Sequence, residues 1–244
     1  MKKKIKLNKK YIIITFIILV SLLFIYKINY NYKYKPYKID KDYSKLDLKG
    51  YDKLMIVAHP DDELLWGGSH LLESKYLVVC ITCGPNKERA NEFSSVMNET
   101  GDKFIMLGYP DVVNLRRDNW ETSKDDITKD LNDIINLKEW DLVVTHNPDG
   151  EYGHIHHKIT NQIVTDLFED KDKLYYFGNY YTKRAFHKHY DKMLPLTDLQ
   201  LKKKTRLIGL YKSQIFIQTS FNHMFEFEDW ENYYEWGDLN EKEN

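Results

Sequence analysis

Beyond residue 50 the apolar positions fall into short unbroken runs separated by amphipathic stretches. Leu54–Ala58 and Tyr76–Thr82 are apolar throughout, as strands buried on both faces are, and Lys103–Leu107, Asp141–Thr145 and Leu174–Phe177 add three more predicted strands. Between them the spacing predicts helices over Leu64–Ser74, Asn86–Thr100, Ser123–Leu137 and a stretch ending at Phe168, with Ser123 as a cap and acids in its first turn. Strand and helix in alternation imply right-handed crossovers and an α/β domain of three layers around a mainly parallel sheet. A further helix is expected over 201–215, and the acidic, Trp- and Tyr-rich stretch 226–244 is expected to pack partly on the body before fraying.

The N-terminus follows another pattern. Residues 1–10 hold six Lys and no acid, and Tyr11–Tyr26 is a run of sixteen uncharged residues. At about 1.5 Å per residue it approaches a ~30 Å hydrocarbon core, with Lys10 and Lys27 able to snorkel and Tyr11, Tyr26 and Tyr30 suited to the interface. A cleaved signal would end in small residues; this run leads into lysines and tyrosines, so residues 11–30 read as an uncleaved transmembrane anchor. The expected organisation is a basic segment at 1–10, the anchor, a stalk over 31–50 and a catalytic domain over 51–244. The denser basic block places the N-terminus in the cytoplasm and the domain across the membrane.

Charge narrows the function. The formal charge is −1, but residues 1–50 carry thirteen Lys against three Asp, a net of +10, which leaves −11 for the rest. An acidic body without a basic stripe argues against a nucleic-acid partner. Cys80 and Cys83 are two cysteines at C-x-x-C spacing inside a predicted strand, where alternation sends them to opposite faces and away from a disulfide.

The first strand ends in His59, Pro60, Asp61, Asp62 and Glu63, one imidazole and three carboxylates at a strand's carboxyl end, where open α/β sheets bind ligands. The fourth runs into a polar loop with His154, His156 and His157 at the start of a predicted helix; positions i and i+3 let His154 and His157 face one point. Loops from two strands at a switch point would bring His157 opposite His59 and Asp62. Two imidazoles and one carboxylate leave a coordination position free, as a hydrolytic metal requires.

These segments resemble a known family. His59-Pro-Asp-Asp-Glu63, Gly150-Glu-Tyr-Gly-His-x-x-His157, Arg89-x-x-Glu92, Gly108-Tyr-Pro-Asp111 and Tyr211-x-Ser-Gln214 together are similar to the LmbE-like, PIG-L-type de-N-acetylases over about residues 53–215. The resemblance implies a Rossmann-like fold and a zinc-dependent hydrolase that removes acetyl from an N-acetylglucosaminyl conjugate. It implies one zinc ion on His59, Asp62 and His157, Asp61 as general base, and His154 assisting at the carbonyl or leaving amine. Iron(II) or cobalt fit the same donors. Arg89 is expected to bind substrate, with an i,i+3 pair to Glu92 as its structural alternative.

One position departs from the family pattern. Many members read His-x-Asp-His where this chain has His154-Ile-His156-His157, so an imidazole replaces the acid expected beside the first histidine; Asp149 or Asp111 would be a substitute. That position keeps open a catalytically inactive, anchored sugar- or glycolipid-binding module of the same fold, alongside a metal-dependent phosphoesterase. The anchor favours a lipid-linked or cell-envelope substrate, and the aromatic segment 177–194 is a candidate sugar-site lining. Oligomeric state leaves no trace in the sequence.

Overall fold

A computed structural model describes residues 9–35 and 37–240; residues 1–8 of the basic segment and 241–244 of the acidic tail lie outside the described residues. The chain divides into two units between residues 36 and 37. In the first, α1 (Lys9–Lys33) is a helix of 25 residues, none of them buried. At about 1.5 Å per residue it is some 37 Å long, and by length and composition it is able to cross a membrane.

In chain order the second unit forms β1 (Lys53–Val57), α2 (Asp62–Glu73), β2 (Tyr76–Thr82), α3 (Lys87–Thr100), β3 (Lys103–Tyr109), a hairpin of β4 (Val112–Val113) and β5 (Arg116–Arg117), α4 (Lys124–Ile135), β6 (Leu142–Thr145), the short α5 (Gly150–Gly153), α6 (Ile155–Leu167), β7 (Leu174–Phe177), α7 (Lys183–Phe186), α8 (Asp198–Ile208), α9 (Ile215–Ser220), β8 (Trp230–Asn232) and α10 (Tyr233–Asn240). The main sheet has the order β3-β2-β1-β6-β7-β8. All its pairings are parallel except that of β8 with β7. From β1 the chain winds outward through β2 and β3, then returns to the other side of β1 as β6. The carboxyl ends of β1 and β6 therefore border a topological switch point, where the loops leaving them part to opposite faces and open a crevice.

The continuous apolar runs have the burial they predict. Along β1, Leu54, Ile56 and Ala58 point into one layer with Ile127, Leu131 and Ile134 of α4 and Ile163 of α6. Met55 and Val57 point into the other, with Leu64 and Leu71 of α2, Phe93 and Val96 of α3 and Leu207 of α8. Each such side chain contributes about 1.5–3 kcal/mol of burial, so the central strands are the least displaceable part of the fold. Cys80 is buried within β2 and Cys83 lies beyond its end; both are free.

Packing shifts several element ends. The Thr197 hydroxyl accepts from Gln200 N and the Gln200 amide accepts from Thr197 N, a reciprocal cap that starts α8 ahead of the expected 201. That helix stops at Ile208, short of the expected 215, and the chain turns so that buried Tyr211 reaches Glu63. α2 is kinked at Gly67, where a Cβ would stand 2.7 Å from the Met55 Cε and 3.0 Å from the Trp230 ring. Residues 37–50, polar in sequence, pack on the body: the Tyr37 hydroxyl accepts from Met106 N at 3.1 Å, Tyr43 is buried and Lys41 pairs with Asp130 at 2.6 Å.

The C-terminal strand is fastened by a buried ion pair. Lys204 Nζ lies 2.8 Å from Glu228 Oε1 and donates to the Leu65 carbonyl at 3.0 Å. Glu228 also accepts from Ser69 N and Oγ at 2.9 and 2.5 Å. With both side chains out of solvent, removing one partner leaves an uncompensated charge. Glu228→Ala is expected to lower stability by about 3–5 kcal/mol in urea denaturation; a loss below about 1 kcal/mol, the value of a solvated pair, would contradict the pair's burial.

Candidate metal and catalytic site

Sharp turns after β1 and β6 assemble the site. Asp61 has φ 110° and ψ −30°, a conformation L residues rarely adopt, and Glu151 has φ 53°. Such residues cost about 1–3 kcal/mol each and persist where surrounding bonds fix them. For Asp61 these are its N–H to Glu63 Oε2 at 2.9 Å and the Arg89 guanidinium on its Oδ2 at 2.9 Å. For Glu151 they are the Asn147 N–H and amide oxygen, both at 3.0 Å.

The turn aims Asp62 back across the crevice. Its Oδ2 accepts from His59 N at 2.9 Å and stands 3.2 Å from His59 Nδ1 and 3.3 Å from His157 Nε2, and these two nitrogens are 3.3 Å apart. Ligand atoms at ~2.0–2.1 Å from a tetrahedral ion are themselves about 3.3 Å apart, so the near-equilateral triangle fits one divalent metal without rearrangement. His154 lies beside it, its ring centroid 4.7 Å from that of His59 and 4.4 Å from that of His157, and half-buried.

Fixed partners settle which nitrogen each ring offers. The Ala58 N–H donates to His146 Nε2 at 2.9 Å, so although that nitrogen is 3.5 Å from Asp62 its lone pair is used; His146 Nδ1 donates to Glu151 at 3.1 Å. His157 Nδ1 bonds Glu151 Oε2, which turns Nε2 to the triangle, and His146 stacks on His157 at 3.8 Å. A carboxylate behind a ligating imidazole fixes the ring and raises its basicity. The His156 N–H donates to His154 Nδ1 at 3.2 Å, leaving His154 Nε2–H as a donor.

The electrostatics assign different states to adjacent carboxylates. Burial opposes ionisation of Asp62, but the neighbouring His157 overcomes it and holds the carboxyl well below its usual range. Burial pushes Asp61 up to about 8, with Arg89 working against it, and pushes Glu63 up to about 8 against the Tyr211 hydroxyl. The two neighbours are thus pushed apart, Asp62 toward the anion and Asp61 toward the neutral range. Burial disfavours charge on His157, yet Asp62 and Glu151 raise it to about 10: the pocket attracts a cation to the triangle. Burial, then His157 and His59, push His154 down to about 2, so it is a neutral donor. Burial and His59 likewise lower His156 to about 4.

The structure brings five of the six expected site residues, His59, Asp61, Asp62, His154 and His157, to one crevice. The sixth, Arg89, reaches it by binding Asp61 and the Pro60 carbonyl. It makes no pair with Glu92, which instead accepts from Ser213 N and Oγ at 2.8 and 2.6 Å. Asp111 stands 3.5 Å from His59 Nε2 and bonds Arg117 at 2.6 Å, and Asp149 is exposed; neither backs His154. Against burial, His59 and Arg117 hold Asp111 down to about 2. Of the aromatic segment, Tyr180 packs on Tyr152, 5.9 Å between centroids, and Tyr152 on His154 at 5.8 Å. Sequence reasoning overlooked His146 and Glu151. A signal for the first was its place directly after a buried strand, the counterpart of His59.

Glu151→Gln keeps the shape and removes the charge behind His157. It is expected to weaken zinc binding by roughly 10- to 100-fold, measured by chelator competition on the full chain; unchanged affinity would show that Glu151 does not tune the ligand.

The family described as PIG-L: GlcNAc-PI de-N-acetylase matches residues 54–168. An uncharacterized protein of Acanthamoeba polyphaga mimivirus is 34% identical over 133 residues, 48% of this chain and 57% of that one. A 1D-myo-inositol 2-acetamido-2-deoxy-alpha-D-glucopyranoside deacetylase of Corynebacterium diphtheriae is 26% identical over 163 residues, 52% of this chain and 55% of that one. The chain thus spans little more than half the length of these relatives. A conserved protein of Thermus thermophilus, of known crystal structure, superposes with a TM-score of 0.53 at 14% identity, over 75% of this chain and 94% of that one, and so shares the fold.

Proposed function

We propose that this protein, whose residues 54–168 match the PIG-L family, is a metal-dependent N-deacetylase, with zinc as the native ion, acting on an N-acetylglucosaminyl conjugate. The observation that carries this reading is the triangle of His59 Nδ1, Asp62 Oδ2 and His157 Nε2 with Asp61, a carboxyl raised to about 8, in the adjoining position. Those three donors would hold a zinc ion, and with it bound the site would gain Lewis acidity to lower the pKa of water toward ~7 and polarise an acetamido carbonyl.

The chain's own groups move the protons. Asp61, fixed by Arg89, accepts a proton from the attacking water as its oxygen bonds to the acetyl carbon. His154 directs Nε2–H at the carbonyl oxygen and stabilises the negative charge gathering there, with no proton transferred. As the carbon–nitrogen bond breaks, protonated Asp61 returns its proton to the departing nitrogen, so acetic acid and a free amino sugar leave with Asp61 ionised again, and the acid then gives its proton to the amine or to water. Burial that raises Asp61 serves both steps, because a carboxyl near neutral pKa is an adequate base and then an adequate acid. Arg89 offers its remaining N–H groups to substrate oxygens, and Tyr152 and Tyr180 give a sugar ring an aromatic wall.

The run of apolar residues at 11–30 anchors the protein as a single span, N-terminus in the cytoplasm, which tethers the domain to a bilayer and favours a lipid-linked or cell-envelope conjugate. We test the function with the full chain in detergent, assaying acetate from a panel of N-acetylglucosaminyl lipids, oligosaccharides and small conjugates. Acetate release that stops on chelation and returns with zinc is expected. Asp61→Asn is expected to reduce kcat by about 10²–10⁴-fold with the metal retained; turnover unchanged in that variant would sink the assigned base.

A further inference from the structure

The buried His156 ring lies behind the triangle in a built socket. Its face stacks on Trp120 with centroids 4.0 Å apart and planes 3° from parallel. Trp120 is fully buried, held at φ 55° by its N–H on Asp118 Oδ1 at 2.7 Å and by Nε1–H on the Pro110 carbonyl at 2.7 Å. On one edge of the ring, Nε2 is 2.6 Å from the Asp118 carbonyl. A carbonyl only accepts, so this nitrogen carries the hydrogen and Nδ1 is left as an acceptor. On the other edge, Nδ1 is 3.0 Å from His59 Nε2.

We propose that His156 is a positioning residue for His59: by accepting its Nε2–H, it fixes the tautomer and ring angle that turn the His59 Nδ1 lone pair to the metal triangle. The proposal rests on the reading of His59 as a metal ligand. A relay follows in which each bond determines the next, from the Asp118 carbonyl through His156 to His59 and so to the triangle. His157 is held by a carboxylate, Glu151, whereas His59 is held by a neutral imidazole that is itself clamped by an indole. Asp111 is a weaker competitor for the same hydrogen, 3.5 Å from His59 Nε2 and engaged by Arg117. His59, Asp111 and His156 also form a group of donors close enough for a second cation. The 3.0 Å contact is instead the length of a hydrogen bond, and a second ion would need the lone pairs that the relay uses.

The test compares wild type, His156→Phe and His156→Asn as full chains in detergent, with zinc as the probe. Phe preserves the stack on Trp120 without an acceptor; the Asn amide oxygen can stand where Nδ1 does. Wild type is expected to bind one zinc per chain. His156→Phe is expected to weaken binding by about 10- to 100-fold and to alter the absorption spectrum of the cobalt form, while His156→Asn stays within about threefold, a modest loss on the same scale. Equal affinity in wild type and Phe, equal loss in Phe and Asn, or two ions per chain would overturn the proposal. In wild type, nitrogen NMR is expected to show His59 ligated through Nδ1 with hydrogen on Nε2; ligation through Nε2 would overturn it whether or not the variants fold. If wild type binds no zinc at all, the deacetylase reading itself fails, which distinguishes that outcome from failure of the relay alone.

Discussion

The structure depends on one oxygen atom, Asp62 Oδ2. It accepts from the His59 backbone, faces His59 Nδ1 and His157 Nε2, and lies out of solvent. A buried anion is tolerated only with compensation, and here the His157 imidazole and the His59 backbone N–H supply it. The same arrangement is what a divalent ion needs, so the features that let Asp62 stay ionised also prepare the triangle. Its neighbour Asp61 faces Arg89 instead, and burial raises its proton affinity while that of Asp62 is lowered. Adjacent carboxylates on one turn thus have separate environments because the strained Asp61 backbone sends them in different directions.

The sheet gives that turn its place. Parallel β1 and β6, buried on both faces, end side by side, and the loops leaving them supply His59, Asp61 and Asp62 from one and His154 and His157 from the other. Rigidity at the strands and strain at the turns are complementary, since an over-determined scaffold is what holds a residue such as Glu151 at φ 53°. Around the triangle the supporting bonds differ in kind. Glu151 gives His157 a charged partner and His156 gives His59 a neutral one, although the two rings face one point.

Much of this was legible in sequence. The unbroken runs Leu54–Ala58 and Tyr76–Thr82 announced strands buried on both faces, and the placing of His59-Pro-Asp-Asp-Glu63 at a strand end announced the crevice. What was not legible depends on contacts that have no period. His146 directly follows a strand just as His59 does, yet only the fold shows its Nε2 spent on Ala58 N–H. Trp230–Asn232 is too short and acidic to stand out as a strand, and it forms by pairing with β7 while Glu228 meets Lys204. Residues 37–50 read as polar because their lysines do, but Tyr37 and Tyr43 carry their burial. His156 was notable for the acid it replaces; its stack on Trp120 and its bond to His59 follow from the turn after β5, which no local pattern foretells.

The triangle calls for one divalent ion among two imidazoles and a carboxylate. X-ray absorption at the zinc edge of the loaded full chain tests it most directly. A four-coordinate shell of two imidazole nitrogens and oxygen donors, all at about 2.0–2.2 Å, is expected. A shell with three imidazoles, which would enlist His154 as a ligand, or one containing sulfur at about 2.3 Å, would contradict it.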